Sequence, residues 1–352
     1  MVHLSPLVNR ALQTSAIVIS LATALASCSG DGDAASGAAV AKSLAAANQN
    51  FTIKDLGTLP GKNGSSAYAI NDHGQVVGES FNFFGRVRHH RDLRAFLYED
   101  GVMTDLGTLP GDSFSTAAGI NDRGQVVGAS FSSIASGFVR RTFLYDSGVM
   151  TDLGLYEANG INNRGQVAGV SNGHACVYQN GVTTDLGTLP GGTFSSANGI
   201  NQKGQVVGGS GIATGATHAF LYDGQQMTDL GTLGGQNSGA AAINDRGQVV
   251  GTSDTATQRQ FRAFLYQDGV MTDLGTLPGG RNSQASGIND RGQIVGASDT
   301  PGGAVHAFVY ENGVMTDLGA LPDGEGFTLA FAINKHGQVV GESNHAVLWT
   351  RP

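Results

Sequence analysis

The sequence predicts an all-β protein, a seven-bladed β-propeller with four antiparallel strands in each blade. Two short motifs each occur seven times, Gly-Gln-Val-Val-Gly or a close variant and Asp-Leu-Gly. The glutamines of the first motif follow one another at intervals of 39 to 50 residues, which is the length of one four-stranded blade. Glycine makes up 54 of the 352 residues and only 14% of residues are charged. This composition is typical of turn-rich β repeats rather than of a helical enzyme.

The repeat at residues 117–154 illustrates the expected order of strands. Its strands are expected at 117–121, 125–130, 142–145 and 149–153, because these segments are rich in β-forming residues. The turn Asn-Asp-Arg-Gly separates the first two strands, and Gly124 suits the left-handed position of a type I turn with a G1 bulge. A variable loop precedes the third strand, and a second tight turn at 146–148 precedes the fourth.

The two ends of the repeat region predict a closed ring. Its first strand, within residues 51–57, matches a fourth strand that has no blade before it, whereas the last unit stops after a third strand at 345–349. We therefore expect the first strand to complete the last blade, which leaves no unpaired sheet edge. An open β-solenoid is the alternative, but it needs neither the additional strand at the start nor the missing strand at the end.

Two units of the repeat carry a family resemblance. Gly-Ile-Asn-Asp-Arg-Gly-Gln-Val-Val-Gly at 119–128 and His-Ala-Phe-Leu-Tyr at 218–222 resemble the bacterial extracellular HAF repeats, which are named for His-Ala-Phe. The resemblance covers residues 51–349 and implies an exported β-repeat protein, but it supplies no substrate and no catalytic residues. The third unit departs from the pattern, since it lacks the Thr-Leu-Pro-Gly loop after Gly154 and has Cys176 in place of the phenylalanine. We expect the third blade to be the irregular one.

Residues 1–27 predict a lipoprotein signal peptide. Arg10 precedes a mostly apolar run, and the run ends in Leu-Ala-Ser-Cys at Cys28, which resembles the lipobox of bacterial lipoproteins. In that family the cysteine is acylated and becomes the mature N-terminus. Cleavage after Ala26, without acylation, is the alternative.

The predicted mature chain has two parts. Cys28 and the Ser-, Gly- and Ala-rich residues up to 50 form a flexible tether, and residues 51–352 form the propeller domain. Acyl chains on Cys28 would hold the protein to a membrane without a spanning helix. Ser29, where an aspartate would resemble an inner-membrane retention signal, favours the outer membrane or the cell surface. A secreted or periplasmic protein is the alternative.

The charge balance limits the classes of partner. The chain has 20 Lys and Arg against 28 Asp and Glu, which argues against nucleic acid, because phosphate binding needs clustered positive charge. We expect no cofactor and no metal, and we expect a monomer. The expected partners are the membrane, through the acyl anchor, and an anionic or glycan polymer or a protein of the cell envelope.

Residues that recur in every blade are expected to hold the blades rather than to act on a substrate. The aspartates of Asp-Leu-Gly and the glutamines of Gly-Gln-Val-Val-Gly are therefore predicted to bind backbone groups at strand ends. The third strands begin with Arg94, Arg141, His174, His218, Arg262, His306 and His345. Histidine suggests a metal site, but arginine is a poor metal ligand. We therefore expect each of these residues to bond the nearby aspartate of its blade or a loop carbonyl.

A second recurrent position carries positive charge. The third residue of the first tight turn forms a set that we name the cationic ring: His73, Arg123, Arg164, Lys203, Arg246, Arg291 and His336. Solvated turn residues are the expected interpretation, and binding of an anionic surface is the alternative.

Residues that break the repeat are better candidates for recognition. The longest variable loop, 81–93, combines aromatic and basic residues that suit an anionic or glycan-like partner. The predicted binding residues are Phe83, Phe84, Arg86, Arg88, His89, His90 and Arg91, together with Asp323 and Glu325 in the loop that enters the last blade. A solvated insertion without a binding role is the alternative for the 81–93 loop.

Only the first and last blades carry glutamate after Val-Val-Gly, at Glu79 and Glu342, and ring closure makes these blades neighbours. Paired carboxylates can act as general acid and base or bind a cation. The sequence nevertheless favours a binding or scaffolding module at the cell envelope over an enzyme, since no nucleophile or ligand set accompanies them. A lyase or hydrolase that acts on a polymer through these glutamates is one alternative, and a structural surface protein is another.

Overall fold

A computed structural model describes residues 51–352 apart from 85–86, 89–91, 135–136, 258 and 323–325. The predicted signal peptide of residues 1–27 and the predicted tether of residues 28–50, which includes Cys28, lie outside the described residues. Among the residues described, no helix has the length and apolar character needed to cross a membrane.

The described part of the chain consists of short strands. In chain order they are β1 (Thr52–Asp55), β2 (Gly64–Ile70), β3 (Val76–Phe81), β4 (Phe83–Phe84), β5 (Val87–Arg88), β6 (Arg94–Glu99), β7 (Val102–Gly107), β8 (Phe114–Ile120), β9 (Val126–Ile134), β10 (Gly137–Asp146), β11 (Val149–Asp152), β12 (Glu157–Ile161), β13 (Val167–Ser171), β14 (His174–Gln179), β15 (Val182–Asp185), β16 (Ser195–Ile200), β17 (Val206–Gly211), β18 (Thr217–Tyr222), β19 (Met227–Asp229), β20 (Gly234–Ile243), β21 (Val249–Thr255), β22 (Phe261–Gln267), β23 (Val270–Asp273), β24 (Ser283–Ile288), β25 (Ile294–Asp299), β26 (Val305–Glu311), β27 (Val314–Asp317), β28 (Leu329–Ile333), β29 (Val339–Ser343) and β30 (His345–Thr350).

These strands form seven four-stranded antiparallel sheets, and β4 and β5 form a separate two-stranded hairpin. The first strands of neighbouring sheets contact one another, so they surround a common axis, and the fourth strands lie at the outside. We number the blades from 1, which begins with β2, to 7, which begins with β28. The protein is a seven-bladed β-propeller, as the sequence predicts.

Blade 7 closes the ring. Its strand order is β1-β30-β29-β28, and Thr52 lies opposite Thr350 while Asp55 lies opposite Val347. Trp349, which is fully buried, packs in a cluster with the half-buried Ile53 of β1. The predicted closure is therefore confirmed, and the open solenoid is excluded.

The two tight turns of a blade follow from glycine and small polar residues. In blade 2 the N–H of Gly124 bonds the carbonyl of Asn121 at 3.0 Å, and Gly124 has φ +73°, which a glycine adopts without a Cβ penalty. The second turn, at Ser147 and Gly148, has positive φ at both residues, as a two-residue hairpin turn requires. These turns connect the first strand to the second and the third to the fourth, and the four strands of one blade form an antiparallel meander.

The glycine that ends Gln-Val-Val-Gly makes room for the blade's own packing. A Cβ on Gly128 would lie 2.1 Å from the carbonyl oxygen of Thr116 and 2.8 Å from the ring of Phe143. Phe143 is the phenylalanine of the third strand and is fully buried. The glycine and the phenylalanine of the repeat are thus complementary, since a larger residue at 128 would displace both the first strand and the aromatic ring.

Blade 3 begins irregularly, as the sequence predicts. Only residues 153–156 connect β11 to β12, and the Thr-Leu-Pro-Gly sequence is missing from this junction. The hydroxyl of Thr142, at a position that is alanine in the other blades, exchanges hydrogen bonds of 3.2 Å with the N–H and carbonyl of Leu155. This threonine satisfies the backbone that the missing loop would otherwise cover, and blade 3 keeps four regular strands.

A closed ring of asparagine side chains joins the blades around the axis. The amide nitrogen of each donates to the backbone carbonyl of the equivalent asparagine in the next blade at 3.0 to 3.1 Å, and blade 7 donates to blade 1. The seven residues, all at most 5% exposed, are Asn71, Asn121, Asn162, Asn201, Asn244, Asn289 and Asn334. The sequence suggested only a turn role for these residues.

Each ring asparagine also organises its own turn. The side-chain oxygen of Asn201 accepts the N–H groups of Lys203 and Gln205 at 3.0 and 2.9 Å, and its nitrogen also donates to the Gln205 side chain. The repeat glutamines therefore bind other side chains, as in the bond from Gln125 to Asp146 at 2.7 Å. The prediction that the glutamine side chains bind backbone groups is therefore wrong. The asparagine side chains bind the backbone groups of the turn, and the glutamine side chains bind other side chains.

Replacement of a ring asparagine is expected to destabilise the whole propeller. Asn201→Ala leaves two turn N–H groups and the carbonyl of Asn244 without their partners, which we expect to cost about 3 kcal/mol of unfolding free energy. Lys203→Ala in the same turn removes an exposed side chain and is the matched control, with an expected change below about 0.5 kcal/mol. Urea unfolding followed by tryptophan fluorescence measures both, and equal midpoints for the two variants would contradict the structural role.

Candidate functional site

The strand directions give the disc two different faces. The tight-turn face carries the first short turn of every blade, which includes the cationic ring, and the second short turn of blades 1 to 6. The variable-loop face carries the loops between second and third strands and the connections between blades. Loop length differs between blades mainly on the second face, as the 81–93 insertion and the short junction at 153–156 show, so blade-specific sites are expected there.

In each third strand, the histidine or arginine that precedes the alanine or Thr142 pairs with the aspartate of Asp-Leu-Gly, and we call this contact the third-strand pair. The seven pairs are 2.6 to 4.0 Å long, and they are Arg94–Asp105, Arg141–Asp152, His174–Asp185, His218–Asp229, Arg262–Asp273, His306–Asp317 and His345–Asp55. Each aspartate also accepts the N–H of the glycine two residues on, as from Gly187 to Asp185 at 2.8 Å. The predicted anchoring role of the aspartates is therefore confirmed. Arg94 and the four histidines bond the aspartate of their own blade, whereas Arg141 and Arg262 only form ion pairs with it, and Arg141 bonds Asp112 and the carbonyl of Pro110. Within the described ranges, no group of three metal-ligating side chains occurs.

The two glutamates beside the closure are buried in the blade packing. Glu79 is 6% exposed and Glu342 is 9% exposed. The Tyr68 hydroxyl donates to Glu79 at 2.9 Å, and the Ser66 hydroxyl donates to Glu342 at 2.6 Å. Both hydroxyls come from β2, so the first strand of blade 1 binds a carboxylate of its own blade and one of blade 7. The edge-to-face contact of Tyr68 with Phe331, with ring centroids 5.3 Å apart, covers the same region.

The predicted binding loop is described only in part. Phe83 is half-buried and stacks edge-to-face on the fully buried Phe81 at 4.9 Å. Phe84 and Arg88 lie in the β4–β5 hairpin, and their side chains are outside the described part of the structure. Arg86, His89, His90, Arg91, Asp323 and Glu325 also lie outside the described residues. These binding residues stay a prediction.

A cleft of about 450 Å³ opens on the variable-loop face beside that loop. We name it the blade 1 cleft, and it is lined by Leu59, Pro60, Lys62, Asp92, Arg94, Asp105 and Ser113. One wall comes from the loop that enters blade 1 and from the end of the 81–93 loop, and the opposite wall comes from the third and fourth strands of blade 1 and the loop that follows them. Its volume is within the range of small-ligand sites. Lys62 and Asp92 were not predicted from the sequence. The signal for Lys62 is that no other blade has a lysine in the Thr-Leu-Pro-Gly loop.

An ion pair fixes the entrance of the blade 1 cleft. The ammonium of Lys62 contacts the Asp92 carboxylate and also donates to the Asp92 carbonyl at 3.2 Å. The Asn82 amide bonds the other carboxylate oxygen. Asp92, near the end of the 81–93 loop, is therefore held by Asn82 near the beginning of that loop and by Lys62 of the neighbouring loop. On the opposite wall Arg94 pairs with Asp105 at 2.9 Å and donates to the carbonyl of Ser113 at 3.4 Å.

A second blade-specific cluster lies at the short junction between blades 2 and 3. Arg140 lies between the rings of Phe131 and Tyr156, at 5.8 and 5.9 Å from their centroids. Its Nη1 donates at 3.1 Å to Glu157, which is only 1% exposed. The pair places a cation against a buried carboxylate, which offsets part of the cost of burying that group. Tyr156 is 46% exposed and covers the arginine from the solvent side.

Cys176 has no reactive thiol. It is fully buried in blade 3, where it takes the place of the third-strand phenylalanine. Burial, with a smaller contribution from the nearby Asp185 carboxylate, raises the pKa of the Cys176 thiol to about 12. A thiol with this pKa is almost entirely protonated at neutral pH, and the thiolate is the nucleophilic form. Cys176 therefore acts as a small apolar residue of the core.

The fold defines this protein as a seven-bladed β-propeller with sequence-similar blades. Residues 61–230, slightly less than half of the chain, match a family described as a protein of unknown function, DUF3466. This match covers blades 1 to 4, including the residues that line the blade 1 cleft apart from Leu59 and Pro60. No curated protein matches the sequence.

Several solved propeller structures are similar to this chain at low sequence identity. They include the gluconolactonase XC5397 from Xanthomonas campestris, with 11% identity, TM-score 0.42, and coverage of 67% of this chain and 86% of that one. The β-propeller domain of the Trilobed protease from Pyrococcus furiosus has 10% identity, TM-score 0.42, and coverage of 76% and 98%. A puromycin-hydrolyzing peptidase from Mycobacterium tuberculosis has 14% identity, TM-score 0.48, and coverage of 83% and 49%, so this chain spans about half of that protein's length. Such similarity does not bear on activity.

The thiol of Cys176 is expected to resist labelling in the native protein. In a Cys28→Ser background, Ellman's reagent at pH 8 should react with less than about one-tenth of the protein within an hour, because the folded thiol is buried and protonated. Urea at denaturing concentration should release one thiol per chain. Rapid reaction without urea would contradict the packing of blade 3.

Proposed function

We propose that this protein is an exported, lipid-anchored propeller that binds a glycan of the cell envelope in the blade 1 cleft. The observation that carries the proposal is the cleft itself, about 450 Å³ in volume and lined by two ion pairs on its two walls. The predicted lipobox at Cys28 supports the location. The fold supports the class of protein, since a rigid ring that presents variable loops on one face is suited to recognition.

The chemistry of the cleft favours a polyhydroxylated ligand. Lys62 and Arg94 supply donors, whereas Asp92 and Asp105 supply acceptors. A sugar hydroxyl donates and accepts at once, so neighbouring hydroxyls can bridge a cation and a carboxylate. Leu59 and Pro60 add apolar surface for the C–H face of a sugar ring. The walls carry two formal charges of each sign, so a neutral or weakly anionic glycan fits better than a strongly charged one.

The arrangement of the closure glutamates favours binding over catalysis. Glu79 and Glu342 bond hydroxyl groups of β2, and at most 9% of either residue is exposed. A general acid or base must reach the bond that it cleaves to within hydrogen-bond distance. A polymer would contact so little of these residues that a lyase or hydrolase role for them is not supported.

Replacement of a residue of the blade 1 cleft should weaken glycan binding. Arg94→Ser removes donors that face the ligand, and we expect about tenfold weaker retention on immobilised envelope polysaccharide, the equivalent of ~1.4 kcal/mol. Lys62→Ser should act in the same direction, because it also frees Asp92. Retention is measured by affinity electrophoresis of the purified protein.

The repeat supplies the matched control. Arg262→Ser removes the same third-strand pair from blade 5, so it reproduces any loss of stability without changing the cleft. We expect this variant to be retained as wild type. If Arg94→Ser and Arg262→Ser weaken retention equally, the cleft is not the binding site, and if wild type is not retained at all, the glycan proposal is wrong.

The location has an independent test. Cys28→Ala removes the acylated side chain, so the variant should move from the membrane fraction to the soluble fraction of the cell envelope after lysis. Globomycin, which blocks lipoprotein signal cleavage, should cause the wild type to accumulate with its signal peptide. A variant that still partitions with membranes to the wild-type extent would show that Cys28 is not the anchor.

A further inference from the structure

The cationic ring on the tight-turn face keeps its charge while its residue type changes. Its seven positions hold four arginines, one lysine and two histidines, in a protein with a formal net charge of −8. Arginine, lysine and histidine differ in shape and hydrogen-bond geometry and share only a positive or protonatable group. A turn position that merely faces solvent has no need of a cation in every blade.

The residue that precedes each cation links neighbouring turns, a structural role that most of the cations lack. The carboxylate of Asp122 accepts the N–H of Asp72 at 2.9 Å, and that of Asp290 accepts the N–H of Asp245 at 2.8 Å. Equivalent side-chain bonds, in which Asn163 and Gln202 also serve as acceptors, link most neighbouring turns. Lys335 of blade 7 is the exception and instead pairs with Asp72 at 3.2 Å. The acidic and amide residues here are therefore links between blades.

Several side chains of the cationic ring form no ion pair among the described residues. Among the described residues, the side chains of Arg123, Arg164, Lys203 and Arg246 make no hydrogen bond or ion pair, and all four residues are exposed. Arg291 alone donates to a neighbouring turn, at the carbonyl of Lys335. Their positive charge is consequently available to a ligand in solution.

Two of the arginines extend along the ring rather than away from it. A Cβ on Gly165 would lie 3.0 Å from Nη2 of Arg123, and a Cβ on Gly292 would lie 2.8 Å from Nη2 of Arg246. Each guanidinium thus lies against the turn of the next blade, where the glycine leaves it room. Side chains that are already positioned lose less entropy when a ligand binds.

The charge on this face is arranged in two circles. The first tight turns lie next to the axis and carry the cationic ring, whereas the second tight turns lie farther out. The outer turns of the described chain carry Glu99, Asp100, Asp146, Asp223, Asp268 and Glu311. A flat anionic membrane would face this negative perimeter as well as the inner circle. A compact anion on the axis would meet only the inner circle, where six lysines and arginines outnumber four aspartates.

We propose that the cationic ring binds a compact multivalent oxyanion, of the polyphosphate or pyrophosphate class, at the axis of the tight-turn face. Arginine binds phosphate oxygens with two parallel hydrogen bonds, and several such contacts from different blades can converge on one central group. This site is on the face opposite the blade 1 cleft and does not depend on the glycan proposal.

Isothermal titration of the full-length Cys28→Ser protein with sodium tripolyphosphate tests the proposal. We expect saturable binding of one ligand per ring, weakened as salt is raised from 50 to 200 mM because the contacts are electrostatic. The double variant Arg164→Ser/Lys203→Ser should bind at least about tenfold more weakly. The double variant Arg259→Ser/Arg281→Ser removes the same net charge from loops of the variable-loop face and should bind as wild type.

Each remaining outcome overturns the proposal. Absence of saturable binding, or equal weakening in the two double variants, would show that the ring attracts anions only through overall charge. Flotation with phosphatidylglycerol vesicles provides the second arm, in which the unacylated protein should stay in solution. If it floats and Arg164→Ser/Lys203→Ser does not, the ring is a membrane-binding surface and not a site for a compact ligand. Urea midpoints of both double variants confirm that they are folded.

Discussion

The asparagine ring is the interaction on which the propeller depends. One side chain in each blade accepts two N–H groups of its own turn, bonds the repeat glutamine, and donates to the next blade's backbone. All seven side chains are buried, so each bond forms away from competing water and its loss would leave polar groups unsatisfied. The rotation between neighbouring blades follows from this geometry. Each asparagine side chain reaches the backbone carbonyl of the next blade at nearly the same distance, so the same rotation recurs from blade to blade.

The sequence predicted the strands, the number of blades and the closure because these features repeat. A pattern present seven times identifies turn and strand positions that a single copy would leave ambiguous, and the unmatched strand near residue 51 identified the closure. The aspartate of the third-strand pair was also predictable, since its partner is in the same blade. Thr142 and the short junction before Tyr156 confirm that a departure from the repeat marks a real structural change.

The candidate site was less predictable for physical reasons. The acceptor of each ring asparagine is a backbone carbonyl about one blade away, and a carbonyl leaves no trace in the sequence. Lys62 and Asp92 are 30 residues apart and occur once, so no periodicity connects them. Glu79 and Glu342 were correctly assigned to adjoining blades, but only the structure shows that hydroxyl groups of β2 bind them. Polar contacts between loops form only where the completed ring brings the loops together, so they cannot be predicted before the fold is known.

The closure strand has a consequence for biogenesis. Thr52 pairs with Thr350 across 298 positions of chain, so β1 has no partner until the last blade has been synthesised. Contacts of such separation are slow to form, and an unpaired strand edge invites association with other chains in the meantime. A factor that shields β1 until β30 is available would therefore raise the yield of correctly assembled protein without changing the stability of the finished ring.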